Sequence, residues 1–195
     1  MASRLNQLFQ AAPRSYLERT VLFTNDLGAF ESQAIIANKL IHHVDLEPVN
    51  TRSRARLLPS LHQYSDMPMV SYVVPYAGVA LVPKSGSPHT LVFLPEFTCC
   101  RLLVQDDESW LRLSLEHDLR GVLPPPEAER ESRFCDSINY WEYVTDDLVG
   151  NVRGTAVLFK QPDRPWHFAM QQIVGATGAE VVRKVFSRDL RYPQV

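Results

Sequence analysis

The densest run of apolar positions in the chain extends from Met69 to Val104 and carries almost no charge. Its first part, Ser71–Val82, is rich in the β-branched and aromatic residues that favour strands. A cluster of turn-forming residues, Lys84–His89, separates it from a second apolar run, Thr90–Phe97. Two such runs joined by a turn-rich loop predict a β-hairpin. With a third run, Cys99–Gln105, the simplest arrangement is an antiparallel meander.

Two periodic stretches predict helices that cover this sheet. At about residues 27–45 and again at about 164–187, apolar residues recur every three or four positions, which is the period of an amphipathic helix. A further apolar run, Gly154–Lys160, predicts another strand. The predicted fold class is therefore α+β, with an antiparallel central sheet at about residues 70–105 and 154–160 covered by the two helices. The periodicity rests on Leu27, Phe30, Ala34, Ala37, Ile41 and Val44 in the first helix and on Trp166, Met170, Ile173 and Val174 in the second.

The segment at residues 107–120 fits two structures. Leu111, Leu113 and Leu115 alternate with polar residues, which is the period of a strand. An acidic first turn, together with Gly121 at the far end, fits a helix. Helix is favoured here because Leu, Arg and Glu are good helix formers.

The chain as a whole is assigned to one domain, residues 1–195. An N-terminal helix is predicted at Ser3–Ala12, stopped before Pro13, and a short strand at Thr20–Asn25. Prolines and charges at about residues 122–133 predict an exposed loop. The region between Pro48 and Pro68 is interpreted as a long connection.

Composition and charge argue against some classes of protein. The formal net charge of −2 argues against a nucleic-acid binder, which usually presents a basic face. No apolar run reaches the ~18 residues of a membrane span. The three cysteines and the lack of an apolar signal segment favour an intracellular, cytoplasmic location. An organelle-targeting role for the retained N-terminal helix stays open, and so does a homo-oligomer.

The strongest enzyme-like set combines a cysteine with a histidine. Cys99 or Cys100 could act as a nucleophile with His117 or His167 as its base, and an acid such as Asp118 or Asp163 could orient the imidazole. A thiolate nucleophile needs such a base to lower the pKa of the thiol. The alternative is a structural thiol, since free cysteine is among the most buried residue types.

Metal and cofactor chemistry find no support in the sequence. His42, His43 and Asp45 are adjacent or nearly so, and on a helix such neighbours point in different directions, so we predict no metal site. Glycine-rich phosphate-binding motifs, the GxSxG of serine hydrolases and CxxC are absent. We predict no cofactor.

An aromatic cluster follows the predicted loop. Phe134, Tyr140, Trp141 and Tyr143 are residue types that anchor protein interfaces. We predict that they bind a partner protein. The alternative is that the cluster closes the end of the hydrophobic core.

These features favour a protein–protein interaction module without catalysis of its own, namely an adaptor, a chaperone-like or inhibitor-like protein, or one subunit of an assembly. The alternative function is a cysteine-dependent hydrolase or transferase that uses Cys99 or Cys100 with a histidine base. Whether the protein is an enzyme stays open, with the balance toward a binding protein.

Overall fold

The computed structural model describes residues 2–24, 41–60, 67–74, 79–98, 100–117, 134–140 and 152–193, with the backbone alone at positions 2, 3, 52 and 117. The described part of the chain is mostly β, with 57% of it in strands and 12% in helices. Two short helices come first, α1 (Ala2–Ala11) and α2 (Pro13–Arg19). The strands that follow are β1 (Val21–Phe23), β2 (Ile41–Val49), β3 (Thr51–Pro59), β4 (Met69–Val73), β5 (Val79–Pro83), β6 (Leu91–Phe93), β7 (Cys100–Asp107), β8 (Trp110–His117), β9 (Asp136–Asn139), β10 (Val152–Lys160), β11 (Trp166–Val174) and β12 (Val181–Asp189).

The strands form a large sheet and a small sheet. The large sheet has eight strands in the order β1-β3-β2-β4-β6-β10-β11-β12 and bends into a nearly closed barrel. Its β1–β3 and β4–β6 pairs are parallel, and its other pairs are antiparallel. The small sheet is antiparallel, in the order β5-β8-β7-β9.

Two hydrophobic cores lie on opposite faces of β10 and β11. The inter-sheet core joins Leu158 and Phe168 of the large sheet to Leu102 and Leu113 of the small sheet. The helix-side core joins the other face of the large sheet to the two helices. Its members include Phe9, Leu17, Val44, Leu46, Val157, Phe159 and Ala169. Burial on both faces makes β10 and β11 the centre of the molecule.

Side chains form hydrogen bonds with the backbone of β1 along the edge that does not pair with β3. Leu22 in β1 donates its backbone N–H to Gln171 Oε1 at 2.9 Å, and its carbonyl accepts a bond from Thr155 Oγ1 at 2.7 Å. Gln171 Nε2 donates to the carbonyls of Leu17 and Thr20, at 2.5 and 2.6 Å. Thr155 and Gln171 are opposite each other in β10 and β11. Polar side chains therefore replace a neighbouring strand at this point, since buried backbone groups must be paired.

A bidentate ion pair joins the two sheets. Both guanidinium Nη atoms of Arg188 in β12 donate to the carboxylate of Asp136 in β9, at 2.7 and 2.8 Å. The same carboxylate accepts the backbone N–H of Arg191. Two parallel bonds from one guanidinium fix the geometry of such a pair, so β12 and β9 are held in one relative position.

The α+β prediction is wrong, because the described parts of both expected helices are strands. Residues 164–187 contain β11 and β12. Most of β11 is buried on both faces, so its apolar residues do not alternate and can imitate a helical period. Gly175 and Gly178, with φ of 115° and 91°, lie in the turn between the two strands. Of the helix expected at 27–45, residues 41–45 belong to β2, and the rest lies outside the described residues.

Three further expectations are corrected. The segment at 107–120, for which helix was favoured, contains β8 at residues 110–117, and Glu108 with φ 47° makes the tight turn from β7. The two runs of the expected hairpin do not pair with each other as one hairpin, because β4 and β6 are parallel neighbours and β5 belongs to the small sheet. The region at 48–68 contains β3.

Other expectations are confirmed. The N-terminal helix is α1, and the strands expected at 20–25 and 154–160 are β1 and β10. None of the described helices is long and apolar enough to cross a membrane. The loop expected at 122–133 lies outside the described residues.

Candidate functional site

The chain passes from the large sheet to the small sheet just before Cys100. Leading to that point is the crossover segment, residues 94–98, which lies beside β10. Leu94 donates its backbone N–H to the carbonyl of Ala156 at 3.2 Å, and Phe97 donates to that of Gly154 at 2.7 Å. Gly154 in turn donates its N–H to Thr98 Oγ1 at 3.2 Å. These bonds fix the backbone that leads directly to the cysteine.

Close approach at Gly154 requires glycine. A Cβ atom there would lie 2.1 Å from the carbonyl oxygen of Phe97 and 3.2 Å from the Tyr140 ring. Phe97 is fully buried, and its ring packs edge-on against Phe168 at 5.6 Å and Tyr140 at 6.4 Å between centroids. The crossover segment is therefore held by packing as well as by hydrogen bonds.

Cys100 is the first residue of β7 and is 4% exposed. Its Sγ lies 3.2 Å from the carbonyl oxygen of Thr98 and 4.0 Å from that of Glu96. The antiparallel register places Cys100 directly opposite His117, the last residue of β8. Directly opposite positions share one face of the sheet, with Cβ atoms about 4.5–5.5 Å apart. The register thus brings the position of a thiol next to the position of an imidazole.

Of the other two cysteines, only Cys135 is described. Cys135 is half-buried, and its Sγ donates to the carbonyl of Val104 at 3.2 Å. Burial, and then the negative charge of Asp106, raise the pKa of the Cys135 thiol. A raised pKa opposes formation of the reactive thiolate. Cys99 lies outside the described residues.

His167 is not brought to Cys100. It lies in β11 opposite Phe159, whereas the crossover segment contacts β10 at Gly154. Five residues of strand separate those two points of β10, about 17 Å at the rise of a strand. The His167 ring packs on Phe159 at 4.9 Å, and its Nδ1 is 2.6 Å from Asp189 Oδ1. Of the candidate acids, Asp163 is in an exposed turn and Asp118 lies outside the described residues.

Two of the four candidate interface aromatics are described. Tyr140 is 2% exposed, and its hydroxyl donates to the carbonyl of Val152 at 3.0 Å. Its side chain thus forms part of the inter-sheet core. Phe134 is half-buried. Trp141 and Tyr143 lie outside the described residues.

His42 and His43 are consecutive residues of β2, the first buried and the second exposed. Consecutive strand positions face opposite sides of a sheet. Asp45 accepts a hydrogen bond from the buried Asn6 side chain at 2.7 Å, which joins α1 to β2. Within the part of the chain that the structure describes, no three His, Cys, Asp or Glu side chains are grouped to hold a metal ion.

Neither Thr98 nor Gly154 was predicted from the sequence to belong to the site. A hydroxyl that accepts one distant backbone N–H has no sequence signature of its own. Gly154 did carry a signal, because an isolated glycine inside a strand pattern often marks close approach of another backbone.

Comparisons with known proteins do not assign a family. No family model matches the sequence, and no curated protein matches it. Among solved structures, the C-terminal domain of CNFy from Yersinia pseudotuberculosis is similar over 63% of this chain, with 11% sequence identity and a TM-score of 0.38. The chain spans 62% of that structure's length. Similarity at that level assigns neither a fold nor an activity.

Proposed function

We propose that the protein is a cysteine-dependent hydrolase or transferase that acts on acyl groups, with Cys100 as nucleophile and His117 as base. The observation that carries this proposal is the register of β7 and β8, which sets the two residues opposite each other. Nucleophile and base in hydrogen-bonding reach are the minimal unit of thiol catalysis. Of the two histidines considered from the sequence, His117 has the strand position opposite Cys100, and this register supports its choice as the base.

The surroundings of Cys100 support this role in two ways. The crossover segment is fixed by two hydrogen bonds to Gly154, so the thiol is held on a rigid backbone. Preorganised geometry of this kind contributes to catalysis by orienting the reacting atoms. The small exposed fraction of Cys100 also favours a slender acyl group as substrate over a broad protein surface.

The chemical step uses these two residues only. The Cys100 thiol gives its proton to His117 and Sγ attacks the carbonyl carbon, so a C–S bond forms as the bond to the leaving group breaks. The protonated imidazole returns its proton to the leaving group. Water, or a second nucleophile, then attacks the thioester with His117 again taking the proton, and the free thiol is regenerated.

The interaction module predicted from the sequence is the competing proposal. One observation favours it. Trp110, at the turn between β7 and β8, is a large aromatic residue that is 44% exposed. Tryptophan is enriched among the residues that dominate interface energies. Cys100 belongs to the inter-sheet core, and in this case its thiol is structural.

Selective alkylation separates the two proposals. The folded protein is treated with iodoacetamide near neutral pH, and adducts are located by peptide mass spectrometry. We expect one fast adduct at Cys100 that persists in the Cys99→Ser and Cys135→Ser variants. The His117→Gln variant should slow this reaction at least about tenfold, because loss of the base lowers the fraction of thiolate, and circular dichroism checks that the variant is folded.

Two outcomes contradict the enzyme proposal. One is labelling of Cys100 only after addition of denaturant, at a rate equal to that of Cys135. The other is an unchanged labelling rate in His117→Gln. Either result identifies Cys100 as a core thiol and leaves the interaction module as the function to pursue.

A further inference from the structure

A cavity of about 270 Å³ lies where α2 meets the turn between β10 and β11. Phe159 and Pro165 supply its apolar walls, while Arg14, Arg164, His167 and Asp189 supply its charged and polar groups. It is at the far end of β10 from Gly154, on the helix-side face. The cavity is thus separate from the Cys100 region, and its role does not depend on the function proposed above.

Both arginines of the cavity can accept a ligand. Arg164 uses its backbone N–H in a turn with Gln161 at 3.2 Å, but its guanidinium makes no hydrogen bond or ion pair with any described residue. Arg14 pairs with Glu18 one helical turn away at 3.2 Å, and both side chains are about half exposed. Exposed ion pairs of this spacing are weak, so a ligand anion can displace Glu18.

His167 is oriented toward a ligand by Asp189. The carboxylate engages Nδ1 at 2.6 Å, which leaves Nε2 as the ring nitrogen for an incoming group. The ring packs at 4.9 Å from Phe159 and is fixed on that side as well. Asp189 is itself an anion in the cavity, but its bond to the imidazole occupies one of its oxygens, and the Arg164 guanidinium has no anionic partner among the described residues.

We infer that this cavity binds a small organic oxyanion, a phosphate monoester or a carboxylate. The guanidinium groups of Arg14 and Arg164 would contact the oxyanion, because their planar forks match phosphate and carboxylate oxygens. Phe159 and Pro165 would contact the apolar part of the ligand. The volume lies just below the range of about 300–1,000 Å³ typical of drug-sized ligands, which suits one ring that carries one anionic group.

The test measures binding of defined probes to the full chain by NMR. Phenyl phosphate, benzoate and phenol are titrated while the His167 ring resonance, assigned with a His167→Gln variant, is followed. We expect saturable shifts with phenyl phosphate or benzoate and none with phenol. Arg164→Ala and Arg14→Ala should each weaken binding about tenfold or more, since a charge-assisted hydrogen bond is lost. Arg112→Ala, an exposed arginine of β8, is the matched control and should leave binding unchanged.

Every result bears on the inference. Tighter binding of phenyl phosphate identifies a phosphate-monoester site, and tighter binding of benzoate identifies a carboxylate site. Absence of a saturable shift up to about 10 mM, which corresponds to less than about 3 kcal/mol of binding, overturns the inference. Equal weakening by Arg112→Ala does so too, because it would show attraction by net charge alone. All three arginines are exposed, so the variants should fold, and circular dichroism checks that they do.

Discussion

Replacing Gly154 with alanine tests whether the crossover segment is held as tightly as its contacts indicate. The added Cβ would lie 2.1 Å from the Phe97 carbonyl oxygen, and real Cβ contacts essentially never fall below 3.0 Å. The two backbones must therefore separate by about 1 Å. The obstructing atom belongs to the backbone, so no side-chain rotation can relieve the contact.

The cost follows from what such a separation breaks. Overpacking in a core costs about 1–3 kcal/mol. A 1 Å movement also breaks the 2.7 Å bond from Phe97 N–H to the Gly154 carbonyl, at about 1 kcal/mol. We expect Gly154→Ala to lower the free energy of unfolding by about 2–4 kcal/mol, a large share of the 5–15 kcal/mol of a typical domain.

Urea denaturation followed by circular dichroism measures this loss. Gly86→Ala is the matched control, because a Cβ at Gly86 meets nothing within 4 Å and only its φ of 74° opposes alanine. That conformation costs an alanine about 1–2 kcal/mol. If Gly154→Ala is no more destabilising than Gly86→Ala, the crossover segment does not pack on β10 as closely as described. Cys100 would then not be held on a rigid backbone.

Two further changes probe the helix side of the fold. Gln171→Leu should lower the free energy of unfolding by about 3–6 kcal/mol in urea melts, because it leaves the Leu22 N–H and two carbonyls without partners. Thr155→Val removes a single hydrogen bond to β1 and should lower it by about 1–2 kcal/mol. Equal losses in the two variants would contradict the role of Gln171 in pairing the edge of β1. Burial raises the pKa of Tyr16 from 10.0 to about 12, with a smaller opposing effect of the Thr20 hydroxyl. As the pH rises, the unfolded state therefore loses the phenol proton before the folded state does. The free energy of unfolding is unaffected by this group below about pH 10 and falls between about pH 10 and 12. Relative to Tyr16→Phe, the wild type should lose about 1.4 kcal/mol between pH 7 and pH 11, and parallel pH curves for the two proteins would contradict this.

The local parts of the fold could be predicted where one face of an element is buried. The helix α1 begins the chain and ends before Pro13, as a proline there requires. In β8, Leu111, Leu113 and Leu115 are buried and alternate with more exposed residues, which is the strand period present in the sequence. The acids before β8 resemble a helix start, but Asp106 and Asp107 lie in β7 and Glu108 is in the turn. The local sequence is compatible with a helix and with a strand, and pairing with β7 stabilises the strand.

The central strands could not be predicted in the same way. Residues 166–174 are almost continuously buried because β11 faces the inter-sheet core on one side and the helix-side core on the other. A strand buried on both faces has no alternation, and a short apolar run cannot then be distinguished from a buried helix by its period. The error at residues 166–174 therefore follows from the position of β11 between the two cores.

The pairing of Cys100 with His117 depends on the register of one hairpin. The sequence offered two cysteines and two histidines without a way to choose, because the residues are 17 positions apart and no motif surrounds them. The two-residue turn at Glu108–Ser109 determines which residues face each other. It sets Asp107 opposite Trp110, and this first pair fixes the register of all the following pairs up to Cys100 and His117. A slip of one residue would move His117 to the other face of the sheet and set another residue opposite the thiol. The position of the candidate site thus depends on the turn at the other end of the hairpin, where Glu108 with its positive φ fixes the register of β7 and β8.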